Sequence, residues 1–278
     1  MRKRVLFGIL ITLVIFVVAR RISMNQPSEV EWTGDGVKIT HMTVFEQVGP
    51  GQPEIIVQVE PPVEIDAAVL YRVPGVEVVD TVGLTEISNG VWSARLPAKE
   101  KGDRLEYGFR LSRTTFHEQG GSSTLTDETG YYLIKYKGEV SVTVLVLHIL
   151  CMFTAFFFIV EAIIGASMML VSREDREFTV AQTRWVLLFT FLGGVPLGFA
   201  LNWQRFGVLW EAFPFGTDVT DNKTQLIIIF WIIIAAISWK SFACRRTGRD
   251  AVGPGAFATA VILASVLSLF LYLVPHSL

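Results

Sequence analysis

The chain has 278 residues, of which 51% are hydrophobic and 18% charged, and its formal net charge is −2. A mean hydropathy of +0.47 is too high for an ordinary soluble protein, and a net charge near zero excludes the overall basic field that favours nucleic acid. The apolar residues fall into uncharged runs long enough to cross a bilayer, so the sequence predicts an integral membrane protein.

The first 26 residues combine a basic start with a short apolar run. Three basic residues at positions 2–4 precede the apolar run 5–19, and Arg20 and Arg21 follow it. This pattern is typical of a secretory signal peptide, but no small-x-small cleavage site follows the run. We therefore predict an uncleaved signal anchor that forms a first transmembrane helix, with cleavage as the open alternative.

Residues 27–139 differ from the rest of the chain in charge and in pattern. They carry 18 acidic and ten basic side chains, hence a net charge of −8. Short runs of alternating polarity, the pattern of half-buried strands, are separated by turn formers such as Asn89-Gly90, which suits a tight hairpin. The runs are 37–48, 54–60, 67–73, 91–96, 104–111 and 131–137. Six or seven short strands at this spacing predict an extracytoplasmic β-sandwich.

Parts of this segment resemble fibronectin type III and immunoglobulin-like modules. The likeness is carried by residues 70–72 (Leu-Tyr-Arg), 89–97 (Asn-Gly-Val-Trp-Ser-Ala-Arg-Leu-Pro) and 105–107 (Leu-Glu-Tyr). The resemblance implies an immunoglobulin-like sandwich, a fold whose loops and edge strands usually contact partners.

From residue 140 to residue 278 the sequence predicts a four-helix transmembrane domain. Four apolar stretches fit helices that cross a bilayer. The stretches are 142–171, 185–201, 226–243 and 256–274. Gly194 and Gly198, with Pro196 between them, predict a close helix contact. With the signal anchor, the predicted fold is an α-helical membrane bundle of five transmembrane helices with an inserted all-β immunoglobulin-like sandwich.

The basic residues of the short connections predict the orientation of the chain in the cytoplasmic (inner) membrane. If the N-terminus is cytoplasmic, ten Lys and Arg residues lie on the inner side and two lie in the external connection 202–223. This bias agrees with the positive-inside rule. The ten are Arg2, Lys3, Arg4, Arg173, Arg176, Arg184, Lys240, Arg245, Arg246 and Arg249, and the two are Arg205 and Lys223. The sandwich, the connection 202–223 and His276 are then predicted to share the outer side.

Two ionisable residues lie inside the first long apolar stretch. Glu161 is an intramembrane acid, which is costly unless it is neutral or paired, and such acids are candidates for proton or ion transfer. The alternative is a protonated Glu161 that is hydrogen-bonded to a neighbouring helix. His148 precedes it by 13 residues, which places the two about 20 Å apart along a helix axis and on different faces. The sequence therefore predicts two separate sites.

The external connection contains a dense group of short oxygen-bearing side chains. Asp218, Thr220, Asp221 and Asn222 offer oxygen ligands for a hard cation. Alternatively, Asp221 or Asn222 accepts hydrogen bonds from the first free amides of the fourth predicted span and so caps that helix. The spacing of the four residues does not match an EF-hand. Both a cation site and a capped helix are open interpretations of this motif.

Two histidines are predicted at the outer face. Under the predicted orientation His148 and His276 lie on the side of Asp218 and Asp221, and two histidines from different helices can bind a transition metal or ligate a haem. The alternative is that each histidine forms local hydrogen bonds only. A haem or metal cofactor is therefore an open alternative, and its identity is unknown.

A second resemblance rests on the sequence that leads into the fourth predicted span. Residues 214–224 read Pro-Phe-Gly-x-Asp-x-Thr-Asp-Asn-Lys-Thr, and the chain ends in Pro-His-Ser-Leu. This combination resembles uncharacterised bacterial multi-span membrane proteins and implies no particular activity. The phosphate-loop, H-E-x-x-H, C-x-x-C and C-x-x-C-H motifs are missing from the sequence, so no reaction is predicted.

Three functions are consistent with these patterns. The predicted one is a binding or assembly component of a cell-envelope membrane complex, which contacts the lipid bilayer and other membrane or periplasmic proteins, because sandwich domains usually present edges and loops to partners. The first alternative is a membrane redox or metal protein with a site at the outer face. The second is an ion path through Glu161, although the sequence lacks inverted repeats.

Overall fold

The computed structural model describes residues 6, 8–14, 17–18, 27–34, 36–113, 123–125, 131–172, 176–244 and 250–274. The chain divides into two compact units. The β unit comprises Asn25–Glu139 together with Gln204–Gly207. The helical unit comprises Met1–Met24, Val140–Trp203 and Val208–Leu278.

The described part of the β unit contains eleven strands that form a sandwich of two sheets. The strands are β1 (Glu29–Gly34), β2 (Val37–Met42), β3 (Glu46–Val48), β4 (Glu54–Glu60), β5 (Ile65–Arg72), β6 (Asp80–Gly83), β7 (Thr85–Ser88), β8 (Val91–Arg95), β9 (Arg104–Arg113), β10 (Ser123–Leu125) and β11 (Tyr132–Lys137). The first sheet has the order β1-β2-β4-β8-β7. The second has the order β3-β11-β9-β5-β6, and β10 also pairs with β9.

Strand β4 illustrates how the sequence pattern forms the sandwich core. Ile55, Val57 and Val59 are at most 1% exposed, whereas the residues that alternate with them face solvent. Successive side chains of a strand point to opposite faces, so this alternation places Ile55, Val57 and Val59 against the second sheet and leaves Ile56 on the outer face, 43% exposed. The predicted hairpin is confirmed, because β7 and β8 pair across Asn89-Gly90 and Gly90 has a φ of +74°, a conformation that favours glycine.

The prediction of six or seven strands was too low. The run 37–48 forms two strands in different sheets, since β2 pairs with β1 and β4 whereas β3 pairs in parallel with β11. Strands β6 and β7 are short edge strands in which nearly every residue is exposed. They lack the alternating polarity by which a strand with one buried face is recognised.

The helical unit contains six α-helices and one π-helix among the described residues outside the N-terminal segment. They are α1 (Val142–Ser172), α2 (Arg176–Leu192), the π-helix Gly193–Leu197, α3 (Gly198–Phe206), α4 (Val219–Ile237), α5 (Trp239–Cys244) and α6 (Pro254–Leu273). Four stretches are long and apolar enough to cross a membrane. They are Val142–Val171, Arg176–Phe206, Val219–Ile237 and Pro254–Leu273. This composition fits a multi-pass membrane protein.

Two predicted spans have different bounds in the structure. The span predicted at 185–201 is part of a longer helical stretch that runs through α2, the π-helix and α3. Pro196 lies inside the π-helix. The span predicted at 226–243 begins seven residues earlier, at Val219, and ends at Ile237 before α5 begins. The polar residues 220–223 therefore form the first turns of α4 instead of a loop. The predicted N-terminal span is described only in part, with residues 8–14 helical.

Candidate functional site

The candidate site is built around the first turns of α4, where the sequence motif of residues 218–223 lies. Asp218 is the N-cap of the helix, and its Oδ1 accepts a hydrogen bond of 2.9 Å from the backbone N–H of Asp221. Such a cap satisfies one of the free amides at a helix N-terminus. The helix therefore starts where a short oxygen side chain is available, eight residues before the uncharged apolar segment.

The carboxylate of Asp221 in α4 joins its own helix to α3 and to the connection between α3 and α4. Asn202 of α3 donates its Nδ2 to both carboxylate oxygens at 2.9 and 3.0 Å, and the backbone N–H of Glu211 donates to Oδ2 at 2.7 Å. Asp221 is only 5% exposed. A buried carboxylate is costly unless such donors satisfy it, so these bonds hold the connection against α3 and α4.

The two residues after Asp221 bind two further neighbours. Asn222 accepts a bond of 3.0 Å from the N–H of Phe213 and donates to the carbonyl of Asp218 at 2.7 Å. Lys223 is 5% exposed, and its Nζ donates to the carbonyl of Val274, the C-cap of α6, at 2.7 Å. A lysine at a helix C-terminus also interacts favourably with the helix dipole. The Asp-Asn-Lys run thus joins α4 to α3, the connection and α6.

These bonds correspond to the capping interpretation of the motif, although the capping residue is Asp218 rather than Asp221 or Asn222. Within the described residues, no group of three or more His, Cys, Asp or Glu side chains is arranged to hold a metal ion. The hard-cation site at Asp218, Asp221 and Asn222 remains a prediction that the hydrogen bonds do not require.

His148 is hydrogen-bonded to the π-helix. Its Nδ1 lies 2.9 Å from the carbonyl oxygen of Gly193, and since a carbonyl can only accept, Nδ1 is the donor. A π-bulge rearranges the hydrogen bonds of a helix and occurs mostly as a single turn, so the imidazole supplies an additional donor at this distortion. His276 lies outside the described residues, and the predicted pairing of His148 with it remains a prediction.

Glu161 is 3% exposed in the interior of the helical unit. Gly8 of the N-terminal segment lies close to this acid, since an added Cβ at Gly8 would lie 2.6 Å from Glu161 Oε1 and 3.1 Å from the ring of Phe157. Thr12, one helical turn after Gly8, is also buried and donates to the Gly8 carbonyl at 2.8 Å. A glycine at this position lets the N-terminal helix approach the acid closely.

Sequence reasoning missed a buried ion pair at the predicted cytoplasmic side. Asp250 accepts from Arg176 Nη2 at 2.6 Å, from the Ser241 N–H at 2.8 Å and from the Ser241 hydroxyl. Burial raises the pKa of Asp250, but the bonds from Ser241 and the Arg176 guanidinium outweigh this effect, and the net pKa lies below its ordinary value. The available signal was a single acid that directly follows three arginines, Arg245, Arg246 and Arg249.

Comparisons with known proteins identify no family. No protein-family model matches the chain, and no curated protein is similar enough to count as a match. A solved structure described as "Crystal structure of Br derivative BhCBM56", a carbohydrate-binding module, matches at 17% identity and covers 37% of this chain and 95% of its own. Its TM-score is 0.25, which is too low to support an argument about fold or function.

Proposed function

We propose that the protein is a binding or assembly component of a cell-envelope membrane complex. In this proposal, five helices anchor it in the cytoplasmic membrane, and an immunoglobulin-like sandwich on the outer side contacts a membrane or periplasmic partner protein. The hydrogen bonds of His148 and Asp221 account for these two side chains without a metal, so the redox alternative has less support.

The strand order supports the immunoglobulin-like assignment. In an immunoglobulin constant-type sandwich, strands A, B, E and D form one sheet and strands C, F and G form the other. The sequence β2-β4-β8-β7 has the first order, and β5-β9-β11 has the second. This topology is more specific than the spacing of turn residues on which the sequence prediction rested.

The close approach of Gly8 to Glu161 supports a retained N-terminal helix. Gly8 and Thr12 lie on one face of that helix, one turn apart, and both are buried. Removal of the segment at a cleavage site after residue 19 would expose this part of the Glu161 surface to lipid. Because an intramembrane carboxyl is costly when exposed to hydrocarbon, a permanent anchor is favoured.

The observation that carries the proposed binding function is an exposed apolar segment between β5 and β6. Residues 73–79 read Val-Pro-Gly-Val-Glu-Val-Val, and four valines within these seven residues face solvent. Val73, Val76, Val78 and Val79 are 44%, 45%, 70% and 38% exposed. The segment adjoins β6, the edge strand of the second sheet. Apolar surface concentrated at a sheet edge is typical of a contact surface for another protein.

Site-specific photocrosslinking in native membranes tests this function. A photoreactive amino acid is placed at Val76 or Val78 and, as a matched control, at Val48, which is 44% exposed on the opposite edge strand β3. We expect one protein adduct of defined mass from positions 76 and 78 and none from position 48. The adduct from position 78 should disappear when Val76→Ser and Val79→Ser are combined, with the sandwich still folded by circular dichroism.

Equal crosslinking from all three positions, or none from 76 and 78, would reject a partner surface at this edge. A purified protein that carries haem or stoichiometric transition metal, detected by absorbance and elemental analysis, would favour the redox alternative instead.

A further inference from the structure

The connection between α3 and α4 displays two phenylalanine rings at its tip. Phe213 is 73% exposed and Phe215 is 83% exposed, while Ala212 between the tip and the helices is fully buried. Residues 212–217, which we call the aromatic loop, contain no charged side chain. Large apolar rings with this exposure are normally buried against some apolar phase.

The aromatic loop is held in one conformation by its own backbone and by α4. The N–H groups of Phe215 and Gly216 donate to the Ala212 carbonyl at 2.9 and 3.1 Å, and the Asp218 N–H donates to the Glu211 carbonyl at 3.0 Å. The Phe213 N–H is bound by Asn222. A Cβ at Gly216 would lie 2.5 Å from the Glu211 carbonyl oxygen, so only glycine fits this turn. The fixed conformation of the loop therefore keeps both rings exposed.

The position of the loop indicates which apolar phase covers the rings. Two candidate spans, Arg176–Phe206 and Val219–Ile237, flank it directly, so the loop lies where the chain leaves and re-enters the membrane. Trp203, in the last turns of α3, is 54% exposed, and Leu209 in the connection is 53% exposed. The apolar surface of the spans thus continues onto the loop. Tryptophan at such positions typically lies in the interfacial layer of a bilayer, and phenylalanine is among the residues that interfacial segments insert at the boundary of headgroups and acyl chains.

We propose that the aromatic loop is a membrane-interface anchor, in which Phe213 and Phe215 insert into the boundary between lipid headgroups and acyl chains. Residues 221–223 hold the loop at this depth, because Asp221 accepts a hydrogen bond from the Glu211 N–H and Asn222 accepts one from the Phe213 N–H. The anchor does not depend on the function proposed for the sandwich. It depends only on α3 and α4 being parts of transmembrane helices.

Spin-label accessibility in phosphatidylcholine vesicles tests the anchor. Single cysteines replace Phe213 or Phe215 in a full-length protein that carries Cys151→Ser and Cys244→Ser. Two controls have similar exposure: Met42→Cys on the sandwich, 52% exposed, and Leu263→Cys in the middle of α6, 59% exposed. The ratio of collision rates with oxygen and with a water-soluble nickel chelate measures the depth of each label.

We expect the ratios at positions 213 and 215 to fall between those of the two controls, which corresponds to a shallow depth in the bilayer. Ratios as low as that of Met42→Cys, with a high ratio at Leu263→Cys, would overturn the proposal. Labels that are water-accessible in pure lipid but shielded from both reagents in native membranes would also overturn it, because a protein partner would then cover the rings. Asn222→Ala, which removes the support of Phe213, should move both labels toward water, whereas Asn89→Ala in the sandwich should not.

Discussion

The imidazole of His41 lies in the core of the sandwich, where it is 1% exposed. Its Nδ1 donates to the Ile56 carbonyl at 2.8 Å, so in the neutral ring Nε2 accepts from the Tyr107 hydroxyl, also at 2.8 Å. The hydroxyl oxygen of Tyr107 in turn accepts from the Val44 N–H at 3.0 Å. Each polar atom of this hydrogen-bond network has a partner only when His41 is neutral. A second proton, on Nε2, would leave the Tyr107 hydroxyl proton without its acceptor.

This arrangement predicts that the sandwich loses stability in mild acid. Burial lowers the pKa of His41, and the bond to Ile56 offsets only part of this effect. The unfolded chain therefore takes up the proton near pH 6.5, while the folded sandwich takes it up only at lower pH. The contribution of neutral His41 to the free energy of unfolding is therefore at its full value above pH 6.5. Below pH 6.5 this contribution decreases, by at most about 1.4 kcal/mol per pH unit. Hydrogen exchange of peptides from β2 and β4 in the full-length protein, corrected for intrinsic rates, measures this loss.

The variant His41→Gln is the control for this prediction, since an amide does not titrate. It should be less stable than the wild type at pH 8, by about 1–3 kcal/mol, but its stability should change little between pH 6.5 and pH 5. If the pH dependence of the variant equals that of the wild type, His41 is not the titrating group.

At the scale of single elements, the sequence predicted most reliably those segments whose apolar residues either alternate with polar ones or continue almost without interruption. The alternation in β4 and the uniform apolarity of α1 and α6 were sufficient to locate these elements. The edge strands β6 and β7 were missed because an exposed strand leaves no such pattern. The start of α4 was misplaced because Asp221, Asn222 and Lys223 are typical of loops, and their burial depends on partners that are distant in the sequence.

The π-helix supports a prediction about its own contact with α4. A Cβ at Gly194 would lie 2.5 Å from Cγ2 of Thr224. Thr224 cannot easily move away, because its hydroxyl donates to the Thr220 carbonyl at 2.9 Å and its branched side chain has few rotamers. Gly194→Ala should therefore lower stability by about 1–3 kcal/mol. Unfolding by SDS in mixed micelles measures this change.

Two further variants make this prediction specific. Thr224→Ser removes Cγ2 and keeps the hydroxyl, so the double variant Gly194→Ala/Thr224→Ser should recover most of the lost stability. Gly255→Ala in α6, where an added Cβ would meet nothing within 4 Å, should be neutral or stabilising because alanine has the higher helix propensity. Equal losses from Gly194→Ala and Gly255→Ala would mean that close packing at Gly194 is not the cause.

For the whole molecule, the number of spans between two residues determines whether they share a side of the membrane. Three candidate spans lie between the sandwich and α5, so we predict that these two parts lie on opposite sides if all three stretches cross the bilayer. Two candidate spans lie between the sandwich and the aromatic loop, and we predict that these two parts share a side. The positive-inside rule predicts that α5 is on the cytoplasmic side.

Cysteine labelling of whole cells tests this arrangement. In a variant with Cys151→Ser and Cys244→Ser, single cysteines replace Ile87 in β7, which is 60% exposed, Thr217 at the end of the aromatic loop, and Lys240 in α5, both of which are exposed. A maleimide that crosses the outer but not the cytoplasmic membrane should label positions 87 and 217 in intact cells and position 240 only after permeabilisation. Labelling of 87 and 240 from the same side would mean that one of the three stretches does not cross the bilayer. The stretch interrupted by Pro196 and the π-helix would be the first to examine, because a broken helix can also turn back within a membrane.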